Sequence, residues 1–511
     1  MRSARIFTYL TTALLACSFM GCSLFCKEEG KEAVKAPVKA PAKKAVAKPA
    51  PKKAVKKAVA KPAPKKAVKK AAAKPTPKKA VKKAAAKPAP YRIALSLNKK
   101  NGLYKKGENV VITLRFLKDG KLAAGQKILY TIRGEKERKI ITSLAKGNTI
   151  TLKAEKPWTM VTFAAVDAKG KTIRYKVGKR TRAAAISIGF MTDVEKIKTG
   201  TPEPADFDAF WNNARKELAK VPVKVLEKKP KGWGKRFQGK INIYDMKIAC
   251  AGKNPVSGYL SIPVNAKKRS LPAIVYYHGA GVRSSSPKPN FKAITFDVNA
   301  HGILNGQNVK YYQNLYKTTL RSYYRQNAHD RNKFYFRDMI FRVQRALDYV
   351  KSLPEWNGKD LIVYGGSQGG AQALIAGGLD KDVTLIYSFV PALCDHTGFL
   401  AGNGREAGWP RLIPQKNGKP TSLSIFKTAS YFDAAYFAKR IKGEAYLTVG
   451  LIDTTCVPTS VYAAFNNIPG KKKTIEVYPF MGHSSIMSPA FRRRLNKTLS
   501  AAEKAVKAQK K

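Results

Sequence analysis

The residues best suited to chemistry lie in Leu361–Gly370, which reads LIVYGGSQGG. Ser367 stands in a G-x-S-x-G pattern with Gly365 and Gly369 on either side, the pattern of a sharp strand-to-helix turn that holds a serine hydroxyl exposed on strained backbone. The N–H of Gln368 would then open a helix and could receive the negative charge that grows on a carbonyl oxygen under attack. A glycine-rich turn can also serve close packing alone, or cradle a phosphate. The partners available to the serine therefore decide between these readings.

A serine hydroxyl needs a base, and the base needs a carboxylate to orient it. The chain has five histidines: His278, His301, His329, His396 and His483. In hydrolases built around such a turn, acid and base follow the nucleophile in the chain, which leaves His396 and His483. The run TIEVYPFMGHSS predicts a strand over 474–478 that ends in a glycine-containing loop carrying His483, the position a base requires. His396, in LCDHTGF, is expected to be structural or to line the pocket. The run AYLTVGLIDTTCVPT sets Asp453 just beyond a buried strand over 446–450, although an aspartate there could equally cap a helix or form a turn. The order Ser367, Asp453, His483 matches nucleophile, acid and base. A second oxyanion amide is expected from the loop after an earlier strand, AIVYYHGAG, where Ala280 offers its N–H and His278 shapes the loop.

No CxxC pair or His/Cys cluster has zinc spacing, and acyl transfer by serine, base and acid needs neither a metal nor an organic cofactor. Cys250, Cys394 and Cys456 are widely scattered and read as buried thiols.

These residues need a parallel sheet to hold them. From about residue 201 an amphipathic stretch over 204–220 is followed by alternating strand and helix periods to the C-terminus, which predicts an α/β domain over 190–511, a mostly parallel sheet covered by helices. Before it, over 91–189, short β-rich runs (RIALSL, NVVITLRFL, KILYTI, TITLKA, MVTFAAV, TIRYKV) are separated by glycine turns and predict an immunoglobulin-like β-sandwich. This module is expected to act as a spacer or docking unit, with carbohydrate binding a minor option, since its single tryptophan, Trp158, could equally belong to its core.

Residues 1–22 have the layout of a signal peptide, with Arg2 and Arg5 before an apolar run. Two lipobox-like sites end at Cys17 and Cys22, so a lipid anchor on one of them is expected, with a plain secretory signal as the alternative. Residues 23–90 read as a disordered linker in which an AKPAPKKAVKKA-like unit repeats every 13 residues, in register at Pro49, Pro62, Pro75 and Pro88. Residues 27–90 hold 22 Lys against 3 Glu, about +19 of a total formal charge of +66. Such a tail resembles nucleic-acid-binding histone tails, but an export signal turns the expectation away from nucleic acid and towards anionic envelope glycans or lipid headgroups.

The segments PADFDAFW (204–211), GGSQGG (365–370), SYFDAAYFAKRIK (430–442), GLIDTTCVPTSVYAAFN (450–466) and YPFMGH (478–483) resemble, in order and spacing, the acetyl xylan esterase and cephalosporin C deacetylase family of α/β hydrolases. The resemblance implies that Ser367 is the nucleophile, Asp453 the acid and His483 the base, with the oxyanion held by the amides of Gln368 and Ala280. It further implies short acyl esters of polysaccharides or oligosaccharides such as acetylated xylan as substrate, and a homo-oligomer as one form of the protein. Three positions depart from the family: Ala280 stands where a tyrosine is usual, NAHGILNGQ (299–307) replaces an Arg-Gly-Gln motif, and Ser484 replaces a glutamate. The first would open the acyl pocket, and the others bear on loop support and oligomer packing. The expectation is an exported, envelope-anchored serine esterase. A broad carboxylesterase or peptidase, or a non-catalytic polyanion-binding surface protein, are the alternatives.

Overall fold

The computed structural model describes residues 89–178 and 180–508. The signal-like segment, Cys17, Cys22 and nearly all of the 23–90 stretch lie outside the described residues.

Residues 91–192 build two sheets on one core. In one sheet Asn109–Lys118 lies between Tyr91–Leu97 and Asn148–Lys153, with the short Lys121–Leu122 paired to its end. Side chains on a strand alternate between faces, and Val110, Ile112, Leu114 and Phe116 all point inward. The other sheet runs in the order Leu103–Tyr104, Ala185–Thr192, Trp158–Ala165, Lys127–Ile132, Arg138–Thr142, and meets the first through Ile128, Val161, Phe163, Ile188 and Phe190. The run TIRYKV departs from its expected place. Arg174–Val177 pairs only with Arg180–Ala183 in a separate ribbon, which rests on the sandwich core through Tyr175 while its basic side chains stay exposed. The strand Ala185–Thr192, by contrast, carries the chain past residue 189, and its last five residues are buried.

The second part is a nine-stranded sheet. Its order is Val225–Pro230, Ile241–Ile248, Val256–Pro263, Ile294–Val298, Leu271–Tyr277, Trp356–Gly366, Val383–Phe389, Glu444–Gly450, Lys473–Tyr478. The first three strands pair antiparallel and the last six are mutually parallel. Parallel strands covered on both faces should be apolar throughout, and this is how the central strands read. Leu361 and Val363 face a core shared with the helices Tyr335–Ser352 and Gln368–Leu379, while Ile362 faces the core capped by Phe491 and Leu499 of the helix Pro489–Ala508. The amphipathic segment after residue 204 forms the helix Phe207–Ala219, in which Trp211 donates its indole N–H to the carbonyl of Tyr431 at 2.9 Å. This strand order, with its single reversal between Leu271–Tyr277 and Ile294–Val298, is the α/β-hydrolase arrangement. It brings the C-terminal ends of the strands ending at Gly366, Gly450 and Tyr478 to one edge.

Candidate active site

Ser367 leaves the central strand at φ 55° and ψ −124°, a conformation costly for a non-glycine residue. Its surroundings impose it. The Ser367 N–H donates to Phe389 O at 3.0 Å, and its carbonyl accepts from Ala371 and Ala392. Glycine is required where the strand enters the turn. A Cβ at Gly365 would lie 2.1 Å from Gly369 O, and one at Gly366 would enter the Phe389 ring at 1.9 Å. The turn therefore buries its backbone and leaves the serine side chain partly exposed at the sheet edge.

The loops after the strands Glu444–Gly450 and Lys473–Tyr478 bring Asp453 and His483 to this serine. His483 Nε2 lies 2.9 Å from Ser367 Oγ and its Nδ1 lies 2.8 Å from Asp453 Oδ2. The other carboxylate oxygen, Oδ1, accepts the N–H groups of Thr455 and Cys456 at 2.8 and 3.0 Å, so the fully buried Asp453 has its charge satisfied and its plane fixed. This arrangement favours an imidazole protonated on Nδ1, with Nε2 free to accept the serine proton. Cys456 packs against the same site. Burial and the nearby Asp453 push its thiol well above the ordinary range, which keeps it protonated and unreactive.

The N–H groups of Gln368, next to Ser367 in the chain, and of Ala280, next to Gly279, have no acceptor among the described residues and so are free to donate to a ligand. Two histidines hold the Ala280 loop in shape. His278 Nε2 accepts from the Ala300 N–H at 3.2 Å, which leaves Nδ1–H to donate to Gly279 O at 2.8 Å. His301 reaches Gly281 O through Nε2 at 3.2 Å. Both stay neutral: burial, with Arg283 nearby, pushes His278 down to about 4, and burial beside His278 pushes His301 down to about 3. The segment that replaces the Arg-Gly-Gln motif thus supplies its own support. Asn299 donates to Arg283 O, and the buried Arg342 clamps Ala300 O with two N–H donors at 3.0 and 2.8 Å. Beneath the turn, Tyr323 O–H donates to Gln368 Oε1 at 2.6 Å, and Gln372 ties the helix to the His278 carbonyl.

His396 is structural, as its position suggested. It is fully buried, and its backbone N–H donates to Asp433 at 2.7 Å. Cys394 and Cys456 are buried in the loops that follow two central strands, whereas Cys250, just beyond Ile241–Ile248 near the antiparallel edge of the sheet, is partly exposed. Sequence reasoning missed His301 and Arg283. The Arg283 guanidinium lies close to the Ala280 loop: a Cβ at Gly279 would sit 3.6 Å from Ser367 Cβ and 3.9 Å from Arg283 Nη2. Its side chain is exposed and pairs with no carboxylate among the described residues. The basic residue in GVRSSS was visible, but nothing in its spacing tied it to Ser367.

Among the described residues, no group of His, Cys, Asp and Glu side chains is arranged to hold a metal ion. Serine, imidazole and carboxylate in this geometry can carry acyl transfer through a covalent intermediate.

A family model for acetyl xylan esterase (AXE1) matches residues 187–499. An acetyl esterase of Xylanibacter ruminicola is 31% identical over 298 residues, which cover 57% of this chain and 65% of that protein. An acetyl xylan esterase from a Paenibacillus species superposes with a TM-score of 0.49 at 25% identity, covering 60% of this chain and 98% of the other. Acetyl xylan esterase 1 from a Thermoanaerobacterium species gives 0.48 at 23% identity, covering 60% and 97%.

Proposed function

The chain belongs to the acetyl xylan esterase family, and from that premise we propose that it is an exported serine esterase removing acetyl groups from polysaccharides or oligosaccharides of the acetylated-xylan type. The observation that carries the reading is the continuous hydrogen-bonded line from Asp453 through His483 to Ser367 Oγ. Ser367 Oγ attacks the ester carbonyl while His483 Nε2 takes its proton. The amides of Gln368 and Ala280 hold the tetrahedral oxyanion, and collapse expels the sugar hydroxyl, which receives the proton from His483. Water, deprotonated by the same imidazole, then attacks acetyl-Ser367, and acetate leaves with the serine hydroxyl restored.

The absence of a side-chain ring at Ala280 supports an acyl pocket roomier than acetyl alone demands. A series of 4-nitrophenyl esters from acetyl to octanoyl, together with acetate release from a panel of acetylated glycans, tests the reading. Acetate release from acetylated xylan, with rates falling along the series, is expected. Equal rates for all acyl lengths and no release from any glycan would favour a broad carboxylesterase.

The export signal, a lipid anchor at Cys17 or Cys22, and adhesion of the basic stretch to anionic envelope surfaces belong to the same proposal, supported by the sequence pattern. The unpaired Arg283 beside the nucleophile further favours substrates that carry a carboxylate near the ester, such as uronate-bearing glycans.

A further inference from the structure

The β-sandwich, read from sequence as a spacer or docking unit, touches the two loops that carry Asp453 and His483. Trp158, at the start of a sandwich strand, donates its indole N–H to Leu451 O at 2.8 Å, two residues before Asp453. Gly189, in the last sandwich strand, donates its backbone N–H to Pro479 O at 2.9 Å, in the segment leading to His483. It approaches so closely that a Cβ there would lie 2.0 Å from Leu451 O. Gly102 closes the same seam, since a Cβ on it would meet Leu451 Cδ1 at 3.0 Å and Pro479 Cγ at 3.2 Å.

The two loops are also interlocked. Leu451 N–H donates to Tyr478 O at 2.9 Å, Ile452 N–H donates to Met481 O at 3.1 Å, and a Cβ at Gly450 would lie 2.2 Å from Met481 O. A second route reaches the far side of Asp453. Arg133 of the sandwich grips Glu406 with two bonds at 2.9 and 3.2 Å, Glu406 accepts from Arg411 at 3.2 Å, and Arg411 donates to Thr454 O at 2.8 Å. The Arg133 guanidinium also lies 5.6 Å from the centre of the Trp158 ring, so the two routes start from one contact.

Residues 451 and 454 bracket Asp453, and both are held by chains of bonds that begin in the sandwich. A spacer module has no need for such contacts, and a carbohydrate-binding Trp158 would face solvent rather than the hydrolase part. We propose that the sandwich is a working part of the active site, with Trp158 and Arg133 as positioning residues that set the Asp453 loop against His483. A hydrogen bond between a carboxylate and an imidazole is sensitive to displacements of this kind, and the carboxylate's effect on the proton affinity of the base falls with it.

The test is kinetic and uses the full chain. Trp158→Phe keeps a ring in the seam and removes the donor, while Arg133→Gln removes the grip on Glu406 from a partly exposed position. With 4-nitrophenyl acetate, Trp158→Phe is expected to lower kcat about tenfold with KM within about twofold, and to move the acidic limb of the kcat/KM profile to lower pH. The limb shifts that way because a base less well paired with Asp453 holds its proton less tightly. Arg133→Gln should move both quantities in the same direction by less. A contribution to folding alone would scale the rate with the fraction of folded protein and leave the limb in place. Unchanged kcat and an unmoved limb in both variants, or a loss tracking only the folded fraction, would overturn the proposal.

Discussion

Gly369 packs backbone against backbone on Tyr277: a methyl group added to Gly369 would lie 2.1 Å from the Tyr277 carbonyl oxygen and 3.0 Å from the His278 carbonyl carbon. This contact sets the distance between the helix that follows Ser367 and the loop that carries Ala280, and so between the two amides proposed to hold the oxyanion. Gly369→Ala is expected to cost about 1–3 kcal/mol of stability, the usual cost of forcing volume into packed backbone. It should also lower kcat at least tenfold, because the amides separate. Thermal unfolding and steady-state rates on 4-nitrophenyl acetate check both, and wild-type values for either would contradict the packing argument.

His396 is fully buried, and burial, opposed by the neighbouring Phe432 backbone, pushes it down to about 4. Above about pH 6.5, the ordinary value for histidine, the ring is neutral in both folded and unfolded chains and adds no pH dependence. Below it the unfolded chain takes up a proton that the folded chain refuses, so this group's contribution to stability is lost as pH falls towards 4. Asp395 and Asp433, pushed up by burial to about 7 and about 6, act in the opposite sense over the same range. The comparison must therefore be between variants. His396→Leu is expected to gain stability relative to wild type by about 1.4 kcal/mol per pH unit as pH falls from 6.5 towards 4, while keeping kcat within severalfold. Denaturant titrations at a series of pH values would contradict this if the difference stayed flat.

Charge at the site predicts a salt response that differs between substrates. The attraction of Arg283 and the basic surface for a polyanion is screened as the Debye length falls from roughly 10 Å at 0.1 M to 3 Å at 1 M salt. For an acidic acetylated polysaccharide kcat/KM should fall steeply over this range, and for 4-nitrophenyl acetate it should barely move. Arg283→Gln should weaken the first response more than the second. Equal responses for both substrates would assign the charge to solubility and adhesion.

The meeting of Ser367, Asp453 and His483 and the parallel character of the larger sheet were legible because each of the three residues sits where a strand ends, and strand ends are marked by apolar runs that break into glycine. The same logic pointed to the loop after Leu271–Tyr277. It could not find His301 or Arg283, whose roles depend on how the replacement segment 299–307 folds back under the oxyanion loop, a long-range arrangement with no local period. The sandwich strands were readable by alternation, but the ribbon Arg174–Val177 was not separable from them, since it shares their β-branched and aromatic residues. Trp158 was read as a choice between core and sugar platform. A residue whose indole N–H serves a neighbouring part of the same chain looks like neither in sequence, because its partner, Leu451 O, lies nearly three hundred residues away and carries no side-chain signature.

The central claim is that Ser367, strained at the end of its strand and bonded to His483, is the nucleophile. Acetate release from an acetylated oligosaccharide by Ser367→Ala, compared with wild type at equal folded concentration, tests it most directly. The account predicts a fall in kcat of several orders of magnitude with thermal stability retained, since a lost hydroxyl leaves the acyl-enzyme no atom on which to form. A Ser367→Ala enzyme releasing acetate within tenfold of the wild-type rate would contradict it.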